Sequence, residues 1–168
     1  MPSLSLPKIL DVNYKSSWVA FGVIALLFNA CDGNKVFEKY IEVENDVWHQ
    51  ENVAKFNVDI IDTVALHNLY INIRNKGNYP YSNLYLFVSI QGPDGSQQTD
   101  TVNCILANKR GQWLGNGIGD LWDLKIPYIG GFKFAQSGVY TFSYEQAMRV
   151  EDGLHGITDV GLRIERKD

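Results

Sequence analysis

The sequence predicts an all-β domain, an antiparallel two-sheet β-sandwich of immunoglobulin-like or jelly-roll-like kind, preceded by a signal peptide helix. Three observations predict it. Apolar residues recur at every second position through a series of short runs, as they do on strands with one dry face. Gly, Pro, Asn and Asp gather between those runs, where tight turns need them. No stretch after position 30 carries the 3.6-residue periodicity of a convincing amphipathic helix, which leaves sheet on sheet as the way to build a core.

The elements follow in chain order. Positions 18–28 read WVAFGVIALLF, eleven uncharged residues preceded by Lys8 and Lys15 and followed by Asn29, Ala30 and Cys31. An apolar run of that length matches a secretory h-region and falls short of the about 20 residues a membrane-spanning helix requires. A cysteine directly after it, with small Ala30 before it, fits a bacterial lipobox, whose thiol is acylated before the leader is cut. The predicted organisation is a signal peptide over 1–30, a lipidated tether over 31–35 and a single β-sandwich domain over 36–168. The 138 residues from Cys31 onward are enough for one domain that buries about two-thirds of its unfolded surface, with no need of disulfide or metal staples.

Within the domain, Phe56, Val58 and Ile60 alternate with Lys55, Asn57 and Asp59, and Leu69, Ile71 and Ile73 alternate with Tyr70, Asn72 and Arg74. Positions 84–90 set Leu84, Leu86, Val88 and Ile90 against Tyr85 and Phe87, apolar on both sides, which predicts a central strand covered on both faces. The turn Gly92-Pro93-Asp94-Gly95 then returns the chain into 99–106, so these two runs form a hairpin. Tyr140, Phe142 and Tyr144 share one face of a later run, and Val160, Leu162 and Ile164 end the chain with the same period. Six or seven strands are expected in all. Positions 143–149 (SYEQAMR) read either as the continuation of a strand or as a single helical turn.

Charge and cysteine usage narrow the function. The formal net charge is -4, near -5 once the leader is removed, and no basic run is longer than Lys109-Arg110, so nucleic acid is excluded as a partner. Of the two cysteines, Cys31 reads as the modified residue and Cys104, inside an alternating run, as a buried core residue. His49, His67 and His155 lie far apart without zinc-ligand spacing, and no cofactor is expected beyond diacylglyceryl and N-acyl lipid on Cys31. The glycine-rich 111–120 (GQWLGNGIGD) lacks both the dinucleotide and the Walker pattern and reads as a loop. Asp94, Asp100, Asp120, Asp123 and Glu145 are the carboxylates whose convergence a glycosidase would require, with Asp120 and Asp123 the candidates for a calcium site. No catalytic residue stands out, and a non-enzyme is expected. Tyr79, Tyr81, Trp113 and Trp122 are the candidate interaction surface, either pinning the loop to the sandwich or meeting a protein or sugar.

Several blocks, taken together, resemble one family: Cys31-Asp32 with 36–38 (VFE), 78–88 (NYPYSNLYLFV), 93–95 (PDG), the 111–120 loop, 138–142 (GVYTF), 145–149 (EQAMR) and 156–165 (GITDVGLRIE). The chain resembles the gliding-motility lipoproteins of type H from gliding Bacteroidetes, over essentially the whole mature part. The resemblance implies a lipid-anchored cell-envelope protein required for gliding, a process tied to type IX secretion, and it implies no reaction. It places the protein on the outer membrane, at its periplasmic or surface face, with the membrane and other envelope proteins of the motility machinery as partners. An envelope carbohydrate-binding module using loop aromatics is the alternative reading, and a carboxylate hydrolase a third.

Overall fold

The structure, a computed structural model, describes residues 33–168; the predicted leader and Cys31 lie outside the described residues. Among the described residues there are eleven strands: β1 (Lys35–Glu42), β2 (Val47–Trp48), β3 (Ala54–Ile60), β4 (His67–Lys76), β5 (Asn83–Gln91), β6 (Gln97–Ile105), β7 (Asn116–Ile118), β8 (Leu121–Phe132), β9 (Gly138–Gln146), β10 (Leu154–His155) and β11 (Ile157–Arg166). They form a five-stranded sheet in the order β1-β11-β4-β8-β7, a four-stranded sheet in the order β3-β9-β5-β6, and a two-stranded ribbon of β10 with β2. Every pairing is antiparallel.

The two-residue period makes this architecture. On the four-stranded sheet Phe56, Val58, Ile60, Leu84, Leu86, Val88, Tyr140, Phe142 and Tyr144 turn inward; on the five-stranded sheet Leu69, Ile71, Ile73, Val160, Leu162 and Ile164 do the same, and all are buried. Burying each large aliphatic or aromatic side chain contributes roughly 1.5–3 kcal/mol, so this double layer is the main stabilising term. Cys104 is a fully buried free thiol within it, and burial pushes its pKa up to about 12, which keeps it protonated and inert.

Antiparallel pairing gives the sandwich two different ends. At one end, called proximal, β1 and β4 begin, β3, β8 and β11 finish, and the β5–β6 and β8–β9 connections turn. Phe134 closes that end, packed edge-on against Phe132, Tyr140 and His67 at centroid distances of 4.9, 4.8 and 5.1 Å. The Tyr140 hydroxyl donates to the Gln136 carbonyl four residues upstream, a tyrosine-corner arrangement that fixes the entry into β9. Trp48 closes the opposite, distal end, its indole N–H donating to the Asn52 carbonyl at 2.8 Å.

Two expectations are corrected. β5 is central in its sheet, yet it is covered on one face alone: Tyr85 and Phe87 are about 40% exposed (41% and 39%). Strands outnumber the six or seven expected, because β2, β7 and β10 are only two or three residues long and β8 was hidden by Pro127, Gly130 and Gly131 and by bulges in its pairing with β4. Past its short pairing with β7, β8 is an edge strand, where a proline costs no ladder hydrogen bond. Of the two readings left open for 143–149, strand continuation holds: the chain stays in β9 as far as Gln146 and then leaves the sheet without a helical turn. β1 starts at Lys35, the last residue of the expected tether.

Candidate functional site: the aromatic distal end

The β4–β5 connection lies at the distal end. Its backbone is held down by Tyr79 N–H to the Lys76 carbonyl, by Lys76 N–H to the Gly156 carbonyl and by a Lys76–Asp46 ion pair. Gly156 sits at φ +90°, with an added Cβ only 3.1 Å from the Tyr79 Cα, so the turn packs directly on the chain entering β11. The Tyr79 ring is buried, its hydroxyl donates to the Asn83 carbonyl at 2.9 Å, and burial raises its pKa. Tyr79 therefore belongs to the core and supports its neighbours from below. Tyr81 stands on it edge-on at 5.7 Å and is 39% exposed; Trp113, half-buried, lies against it at 6.3 Å. Three of the four aromatics expected to form an interaction surface thus make one cluster, Tyr81 and Trp113 presented and Tyr79 beneath.

Trp122 stands apart from that cluster and performs the pinning role. Its ring lies on Gly117, where an added Cβ would come within 2.9 Å of it, and its indole nitrogen lies near Gly77. Gly115 approaches the Asp123 backbone so closely that a Cβ would sit 2.6 Å from the carbonyl oxygen. The glycine-rich segment is therefore a closely packed platform. Asn108 organises the loop before it by accepting from the Arg110 and Gln112 amides, and Leu114 N–H donates to the Leu106 carbonyl, fixing Trp113 in place.

A second apolar feature lies on a strand face that the sequence pattern places inside the protein. Tyr85 and Phe87 project from the outer face of β5, in its distal half, beside the 147–150 segment that folds over them. Tyr85, Phe87, Thr101, Ala147, Met148 and Arg149 line an open groove of about 370 Å³. The missed signal was parity: Ser89 and Gln91 share the side of Tyr85 and Phe87, and two polar residues on one side mark it as outward.

The outer face of the five-stranded sheet is different. Arg74 stacks over Tyr40 at 3.9 Å, pairs with Asp123 at 2.8 Å and reaches Asp159, while Arg163 lies between Glu38 and Glu165. Lys125 meets Glu165 and covers the Tyr70 ring. Burial first, and then the Asp123 charge, push the Tyr40 phenol up to about 12. That face is a self-satisfied polar surface.

The carboxylates considered above serve separate partners. Asp94 takes Ser96, Asp100 takes the Tyr128 hydroxyl, Asp120 takes the Gly77 amide, Asp123 takes Arg74 and Tyr40, and Glu145 takes the Gln50 amide. Among the described residues no group of three or more His, Cys, Asp or Glu side chains is placed to hold a metal ion.

The described residues form an antiparallel β-sandwich with an aromatic cluster at one end and an open apolar groove on the outer face of the four-stranded sheet. Residues 35–164 match the GldH lipoprotein family. The chain is 41% identical over 149 residues to the "Gliding motility lipoprotein GldH homolog" of Christiangramia forsetii, covering 85% of this chain and 91% of that protein. It is 38% identical over 150 residues to the "Gliding motility lipoprotein GldH" of Flavobacterium johnsoniae, covering 86% and 92%. The chain belongs to the GldH lipoprotein family and is a lipid-anchored envelope protein associated with gliding motility.

Proposed function

We propose that this protein is a non-enzymatic accessory or scaffold required for gliding. In this reading, diacylglyceryl and N-acyl chains on Cys31 hold it in the outer membrane, near the type IX secretion and motility machinery, and its aromatic end docks on other envelope proteins. The observation that carries the reading is the Tyr79–Tyr81–Trp113 cluster: an exposed Tyr81 ring and a partly buried Trp113 ring packed on a buried Tyr79. Tyrosine and tryptophan held this way lose little conformational freedom on binding and are enriched among residues that dominate interface energies. The groove beside Tyr85 and Phe87 extends the apolar area, whereas the polar face of the other sheet has its charges already matched.

Affinity purification of the tagged, acylated protein from gliding cells, under mild crosslinking, tests this. Wild type is expected to recover envelope proteins, and Tyr81→Ala with Phe87→Ser to lower recovery about thirtyfold, the effect of losing about 2 kcal/mol at an interface hot spot. Both side chains are about 40% exposed, at 39% each, so melting temperatures should change little. Undiminished recovery would sink the reading, and capture of glycans in place of proteins would transfer the site to a carbohydrate role.

A further inference from the structure

The proximal end of the sandwich carries an apolar feature of its own. The β3–β4 connection, residues 61–66, exposes Ile61 and Val64 at 85% and 83%, with Leu66 beside them at 42%. Such side chains are less favourable in water than buried against apolar surroundings. The loop does not relax to hide them. Asp62 Oδ1 accepts from the Val64 and Ala65 amides at 2.9 and 3.0 Å, and its other oxygen pairs with Arg166. These contacts hold the Asp62 pKa down at about 2, the Ala65 and Val64 amides first and then Arg166, so the turn keeps its charge-assisted form at any ordinary pH.

The position of the loop says what covers it. Arg166 N–H donates to the Asn34 carbonyl, and the next residue, Lys167, donates to the Leu66 carbonyl. The Asn34 side chain also donates to the Asp168 carboxylate at 2.8 Å. The first residue of the domain and the apolar loop therefore flank the same C-terminal segment. Only Asp32 and Gly33 separate Asn34 from Cys31, at most about 11 Å of chain at 3.8 Å per residue. A domain tied that closely to an acylated cysteine must set this end against the headgroups. Exposed Lys35, Lys133 and Lys167 surround it, suited to anionic lipid, although Lys35 also pairs with Glu38; of the nearby acids Asp62, Asp94 and Asp168 are engaged within the protein, while Asp59, at the end of β3, is exposed.

We infer that the 61–66 loop is a membrane-contacting wedge, Ile61 and Val64 entering the interfacial region of the bilayer that holds the acyl chains. The inference rests on lipidation of Cys31 and adds a second, non-covalent contact. One flexible anchor leaves a domain free to tumble, and two contacts fix its axis, directing Tyr81 and Trp113 away from the lipid.

The test uses the full acylated chain in vesicles of phosphatidylethanolamine and phosphatidylglycerol. An environment-sensitive maleimide is attached at Val64→Cys or, at the distal end, at Leu114→Cys; buried Cys104 stays unlabelled. With bromine-substituted acyl chains as quencher, the label at 64 should be quenched at least about threefold more than the label at 114, as for a side chain buried in the interface. Equal quenching, in protein whose acylation is verified by mass spectrometry, overturns the wedge alone. Finding Cys31 unmodified overturns the anchor reading and the wedge with it.

Discussion

At the scale of single residues, His67 and Gly115 each carry a testable consequence. His67 opens β4, is 2% exposed, stacks on Phe134, and leaves its Nδ1 without a hydrogen-bond partner among the described residues. Burial, the largest influence, lowers its pKa below the ordinary value of 6.5, with the Asp62 charge opposing. A group whose pKa is lower folded than unfolded binds more protons in the unfolded chain. Its contribution is therefore complete above about pH 6.5 and is lost as pH falls from there towards the folded value. The melting temperature should drop between about pH 7 and about pH 5, and the drop should shrink in His67→Gln; an unchanged profile in the variant would assign the acid sensitivity elsewhere. Gly115 tests packing. A methyl there meets the Asp123 backbone at 2.6 Å, so Gly115→Ala should destabilise by about 2–3 kcal/mol, read by thermal or denaturant unfolding. A change under about 0.5 kcal/mol, the range of ordinary surface substitutions, would show that the platform yields.

At the scale of elements, what was legible followed the strength of the alternation. β3, β4, β9 and β11 put Val, Ile, Leu and aromatics inward and polar residues outward, and those runs were assigned with the correct face. The β5–β6 hairpin was legible from Gly92-Pro93-Asp94-Gly95, whose Gly95 takes φ +81°. The face of β5 was not, because Tyr85 and Phe87 are apolar by type while lying outward, as expected of a surface that meets a partner. β8 was hidden for a different reason: an edge strand tolerates Pro127 and glycine bulges that a sequence pattern reads as loop. β2, β7 and β10, of two or three residues, are too short to show any period. The candidate site was legible in part. Tyr81 is exposed and Trp113 partly buried, whereas Tyr79 lies beneath them and Trp122 pins the glycine platform, a division that residue type alone does not reveal.

At the scale of the whole molecule, the proposed reading assigns one task to each end of the fold. The chain enters at Asn34 on the proximal end, beside a stiff apolar loop and a C-terminus bonded back to the entry point. The aromatic cluster and the glycine platform lie at the other end, joined to the first by strands of up to twelve residues. At about 3.3 Å per residue such strands hold the two ends a few tens of ångströms apart. An anchor at one end and a docking surface at the other are what a scaffold on a membrane needs. The five-stranded sheet, with its charges matched internally, is the inert flank of that arrangement. The most direct test is site-specific photocrosslinking in living gliding cells, with a photoreactive amino acid at position 81 in one strain and at position 125, on the polar flank, in another. The docking account predicts a discrete adduct with an envelope protein from position 81 and little or none from position 125. Adducts from 125 alone, or none from 81 in cells that still glide, would contradict it.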